Sequence, residues 1–123
     1  LREKESVVFE DIFTKFHDKN REIKVIGVWG KDGLELEKKY FSVAEGIDLD
    51  FTGAELADVI SKIEGIKIAP HNYVVKLNFN DYLIVVFSLT PDFFLVAVTD
   101  KNIILGKLNF YLNLYKNKLI SIL

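Results

Sequence analysis

The stretch YLIVVFSLTPDFFLVAV, residues 82–98, decides the fold. Tyr82-Leu83-Ile84-Val85-Val86-Phe87 and Phe93-Phe94-Leu95-Val96-Ala97-Val98 are two β-rich runs with almost no polar residue. Both are too short for membrane spans, and they are separated by the turn signal Pro91-Asp92. A strand facing water on one side alternates apolar and polar residues; an unbroken apolar run belongs to a strand covered on both faces. The expectation is therefore a sheet with helices above and below its centre.

Working outward, Tyr82–Thr90 and Phe93–Asp100 follow a third strand, Asn72–Phe79, across the turn Asn80-Asp81. In that strand Tyr73, Val75, Leu77 and Phe79 share one face and Val74, Lys76 and Asn78 the other. Further upstream, Ile23–Trp29 is again apolar almost throughout. It leads through Gly30-Lys31-Asp32-Gly33, whose Asp-Gly is a strong hairpin signal, into a second strand where Leu34 and Leu36 alternate with Glu35 and Glu37 before Lys38, Lys39 and Tyr40. Those charges suit a guarded sheet edge.

Three segments have helical periodicity. From Glu5 to Asp18, Val8, Phe9, Ile12, Phe13 and Phe16 recur at helical spacing, and Asn20 is placed to end the helix in a left-handed conformation. The middle helix, Gly53–Glu64, is signposted by Thr52 as N-cap, Glu55 completing a capping box, and Phe51 with Leu56 as a hydrophobic staple. Its apolar stripe is Leu56, Val59, Ile60 and Ile63, with Ala54, Ala57 and Ser61 on the opposite side, and Gly65 supplies the stop. The last helix, Ile103–Leu123, sets Leu105, Leu108, Leu112, Tyr115, Leu119 and Ile122 on one stripe, with Lys116 and Lys118 near its C-terminal end.

The order is thus α-β-β-α-β-β-β-α. It predicts one domain over residues 1–123, an α/β three-layer sandwich with a five-stranded, largely antiparallel sheet and helices on both faces. The strand 72–79 is the second edge, guarded by Lys76 alone. A long strand edge with unpaired backbone groups is a template for pairing; either a loop or helix covers it, or it pairs with its own copy about a two-fold axis. Ala54, Ala57 and Ser61 of the middle helix, with Tyr73, Val75 and Leu77 of the strand, are the candidate dimer interface.

Composition narrows the chemistry. The 123 residues carry a formal charge of −2, no Cys and two His. Cys-based zinc sites, disulfides and thiolate catalysis are excluded together. With Arg2 and Arg21 as the only arginines, no basic groove for nucleic acid is legible. No apolar run approaches the roughly 20 residues that cross a bilayer, and the chain reads as soluble and cytoplasmic. His17 ends a helix and His71 lies in the linker 66–71, so a metal site is not expected. Asp48 and Asp50 favour the positive start of the middle helix, and the calcium-loop pattern is absent. There is no GxxxxGK[ST] loop for nucleotide phosphates, and no serine has a base assigned to it by pattern. No catalytic residue, cofactor or metal is expected.

The order of elements resembles that of the Roadblock family, which includes dynein light chains of the roadblock type. The match extends over essentially the whole chain. Its strongest local piece is the first hairpin, Val25-Ile26-Gly27-Val28-Trp29-Gly30-Lys31-Asp32-Gly33-Leu34-Glu35-Leu36, followed by the small residues Ala54 and Ala57 and by Asn102 and Gly106 near the last helix. The loop 41–50, with its acidic residues, and Pro70-His71 depart from the pattern. The resemblance implies dimers built through the middle helix and the third strand. It also implies a noncatalytic role as scaffold or regulator of a small Ras-like GTPase, or as a motor adaptor. A profilin-like small-molecule sensor is the alternative, and a cavity between the sheet and a helix is its mark.

Overall fold

The computed structural model describes residues 3–42, 49–66 and 73–123, the side chains of residues 49–52 excepted. Eight elements follow in the expected order: α1 (Glu3–Lys19), β1 (Ile23–Gly30), β2 (Glu35–Tyr40), α2 (Leu49–Glu64), β3 (Val74–Asn78), β4 (Tyr82–Ser88), β5 (Phe93–Asp100) and α3 (Leu105–Ile122). The sheet runs β2-β1-β5-β4-β3, each neighbouring pair antiparallel. The three apolar runs are its three inner strands, and the two edges are β2 and β3.

Each inner strand feeds two cores, because alternate side chains leave the sheet on opposite faces. On one face Ile26, Val28, Leu83, Val85, Phe87, Leu95 and Ala97 pack under α1 and α3, which bring Phe9, Ile12, Phe13, Phe16, Leu108, Leu112 and Leu119. On the other, Val25, Trp29, Ile84, Val86, Phe94, Val96 and Val98 pack under α2 through Leu56, Ala57 and Ile60. Burying each Phe of α1 contributes about 1.5–3 kcal/mol. Phe16 also meets Tyr115 edge-on at 5.1 Å, which ties α1 to α3.

Turn chemistry explains the first hairpin. The Gly33 N–H donates to the Gly30 carbonyl at 3.0 Å, and the Gly30 N–H to the Leu34 carbonyl at 2.8 Å. Gly33 sits at φ +92°, the only positive φ among the described residues, where a side chain would be strained.

Several local expectations are corrected. Asn20 does not take the left-handed conformation. It is buried, and its backbone N–H at 2.9 Å and its side-chain amide at 3.1 Å both donate to the Phe16 carbonyl, which closes the last turn of α1 without a left-handed residue. Gly65 likewise follows α2 without a positive φ, its N–H donating to the Ser61 carbonyl at 3.2 Å. Helix α2 starts at Leu49, so Thr52 falls inside it and is not the N-cap. Leu34 precedes β2 and is exposed. His71 and Asp48 lie outside the described residues.

Candidate functional site

The face of interest is the β3 edge. The Tyr73 carbonyl accepts from the Ser88 N–H at 3.2 Å, and the Phe79 N–H donates to the Tyr82 carbonyl at 2.9 Å. Backbone direction alternates along a strand, so residues 75 and 77 also turn to β4. The N–H and C=O groups of Val74, Lys76 and Asn78 therefore point away from the sheet. Side chains alternate in step. Tyr73, Val75 and Leu77 are half-buried against the α2 core, whereas Val74, Lys76 and Asn78 are exposed on the other face. Lys76 is the one charged residue of the strand.

The outer surface of α2 flanks this edge. Ala54 and Ser61 are exposed, together with Glu55, Asp58 and Lys62. Ala57 is not part of that surface: it is buried against Leu56, Ile60 and the sheet. Conversely Val59, placed by its spacing on the buried stripe, is exposed. Helix α2 is rotated so that Ala57 rather than Val59 faces the sheet. The rotation places Gly53 over the indole, where an added Cβ would meet Trp29 Cδ1 at 2.8 Å.

One polar cluster ties these elements together. The Glu64 carboxylate at the end of α2 accepts from the Tyr73 hydroxyl at 2.8 Å and from the Lys31 ammonium in the β1–β2 turn. Burial, and then the hydrogen bond to Glu64, push the Tyr73 hydroxyl well above its ordinary pKa, so it remains a donor at all physiological pH values. Sequence reading found Tyr73 but not its partners. Lys31, Glu64 and Tyr73 lie on three different elements, and no spacing rule joins them.

The remaining candidates fall elsewhere. Arg21 is exposed and pairs loosely with Asp18 at 3.7 Å, at the opposite end of β1 from the hairpin turn. His17 stacks flat on Phe41, ring centroids 4.0 Å apart. Among the described residues no three His, Asp or Glu side chains are grouped to hold a metal ion, and no helix is long and apolar enough to cross a membrane.

No protein-family model and no curated protein sequence matches the chain. Solved structures do. The gliding protein MglB of Thermus thermophilus superposes with a TM-score of 0.84 at 14% identity, over 99% of this chain and 93% of its own. A structure of MglB in a tetrameric arrangement gives 0.86 at 13%, over 99% and 92%. A Roadblock/LC7 domain from Streptomyces avermitilis gives 0.72 at 12%, over 88% and 91%. Three helices and a five-stranded antiparallel sheet in this order, shared over nearly the whole chain with these proteins, give the chain the Roadblock fold.

Proposed function

We propose that the chain is a noncatalytic module that pairs with itself through β3 and serves as scaffold or regulator of a small Ras-like GTPase. The observation that carries the reading is the β3 edge, unpaired among the described residues, with three residues' backbone groups directed outward and one lysine guarding them. Left open, such an edge invites uncontrolled pairing; closed on a copy, it extends the sheet across a two-fold axis. Similarity to an MglB structure with a tetrameric arrangement supports self-association. The GTPase assignment rests on the resemblance to Roadblock proteins. In this reading Ala54, Ser61, Tyr73, Val75 and Leu77 lie at or beside the seam, and Ala57 supports it from beneath. The partners are a second copy and the GTPase, neither nucleic acid nor membrane, and the module acts in the cytoplasm.

Light scattering on the eluted protein tests the pairing, with twice the 14.1 kDa chain mass as the expected result at micromolar concentration. GTP hydrolysis by Ras-like GTPases, with and without the chain, tests the regulation. A complex or an altered rate is expected; a dimer that neither binds nor affects any of them removes the GTPase assignment.

A further inference from the structure

Helix α3 is apolar on two sides. Leu108, Leu112 and Leu119 face the sheet and are buried. Phe110 and Leu114, about half a turn away around the same helix, remain 61% and 57% exposed. Lys107 and Lys118, also exposed, stand one turn before and one turn after them. We propose that this outer face of α3 docks an acidic amphipathic helix of a partner protein, its apolar side chains flanked by a carboxylate at each end.

A helix that only roofs a sheet keeps its outer side polar. Helix α1 does so: Glu3, Lys4, Glu10 and Asp11 are exposed around Val7, its one exposed large apolar residue. In α3 the outer side instead holds a Phe and a Leu four residues apart, which form one ridge. The Phe110 ring is set edge-on against Tyr111 at 5.1 Å. Asn113, Asn117 and Ser121 are exposed around the pair. An aromatic and an aliphatic side chain within a polar rim are the make-up of a docking surface.

Charge then selects the occupant. Helix α3 carries three lysines and no acidic residue along its length. A partner carboxylate at either end of the ridge meets a cation, and a partner cation meets like charge. Lys107 and Lys118 are eleven residues apart, about 16 Å along the axis, so the complementary element spans about three turns. An amphipathic helix with apolar residues at i, i+3 and i+7 fits that length. Because both ends of the ridge are positive, it fits in either direction, provided that it is acidic at both ends. A second copy is a poorer occupant. Its acidic helix is α1, where Glu10 and Asp11 already pair with Lys39 and Lys15 and Val7 is the one apolar contact. A lipid surface is poorer too: a helix lying on anionic lipid is rich in lysine or arginine, and the ridge has two lysines. The face lies on the opposite side of α3 from the sheet, so the proposal stands apart from β3 pairing and from the GTPase reading.

The test is fluorescence anisotropy of two labelled peptides titrated with the full chain: fluorescein-EAELAALLAALEAE-amide and its charge-reversed form, fluorescein-KAKLAALLAALKAK-amide. The first sets glutamates at both ends of a leucine stripe, spaced as Lys107 and Lys118 are. It is expected to bind saturably, and the basic peptide about tenfold more weakly or worse. Phe110→Gln with Leu114→Gln should abolish binding at an unchanged melting temperature, because both side chains already stand in water. Lys107→Glu with Lys118→Glu should reverse the preference, which mere loss of structure does not do. Lys62→Glu, on α2 across the sheet, should leave the preference as in the parent. Equal affinity for the two peptides, or binding of neither, overturns the proposal. So does a native mass that the double Gln change lowers, which makes the occupant a second copy. Cosedimentation with vesicles of phosphatidylcholine and phosphatidylserine, four to one, abolished by the same change, overturns it in favour of a lipid surface.

Discussion

At the residue scale, Trp29 shows how one side chain dictates its neighbours. It is fully buried, and the indole lies against Gly27 of β1 and Gly53 of α2; a Cβ on Gly27 would come within 2.7 Å of the ring. Gly53→Ala sets two effects against each other. Alanine favours the helix by about 1 kcal/mol, but the clash with a rigid indole costs about 1–3 kcal/mol. Packing should win, so a denaturant melt of Gly53→Ala is expected to show net destabilisation. His17 offers a second residue-level check. Burial and the nearby Arg21 hold its pKa below the ordinary value, against a smaller pull from Asp18. The folded chain therefore favours neutral imidazole. Its contribution is fully present above the unfolded pKa of about 6.5 and is lost as pH falls through the depressed folded value. His17→Phe should flatten the fall in melting temperature between pH 7 and pH 5 relative to the parent.

At the scale of the element, α3 begins without a cap. Ile104 stands at its N-cap position with extended dihedrals, makes no side-chain hydrogen bond to the helix and is exposed. No acidic residue occupies the first turn. Ile104→Ser gives the orphan N–H groups an acceptor and should raise stability by about 0.5–2 kcal/mol, measured as a shift in the denaturant midpoint at unchanged slope. Helix α1 is the counter-example. Glu3 and Glu5 stand in its first turn and Lys19 in its last, both favourable to the macrodipole, and Asn20 closes it. Its surface ion pairs, such as Lys15–Asp11 at 3.0 Å, add little because both side chains remain in water.

At the scale of the whole molecule, three helices cover both faces of the sheet, and the described residues put no backbone hydrogen bond on the outer edge of β3. The strand's alternation makes a selective probe possible. The Lys76 N–H points away from β4, so Lys76→Pro removes a donor from the outer edge without breaking the sheet's own ladder. If β3 is the seam, that variant should elute as a monomer with its far-ultraviolet spectrum retained. Val75→Lys and Leu77→Lys should do the same, by placing charge on the half-buried face beside the seam. An unchanged mass in all three folded variants would refute pairing through β3.

Much of this was determined by the sequence alone. Unbroken apolar runs at 23–29, 82–87 and 93–98 mark doubly covered strands, and the charges of Glu35–Lys39 mark an edge, because burial on a period of two leaves little choice of face. The stripe of Phe9, Ile12, Phe13 and Phe16 determined the buried side of α1 for the same reason. Tertiary structure decided what local pattern leaves degenerate. Ala57 and Val59 are both tolerable on either side of α2, and only the docking of the helix on the sheet turned Ala57 inward and Val59 outward. Asn20 had two ways to end a helix, and burial chose the side-chain bond over the left-handed turn. The Lys31–Glu64–Tyr73 cluster joins residues from separate parts of the chain; such a meeting depends on how layers pack, which no spacing along one chain segment encodes.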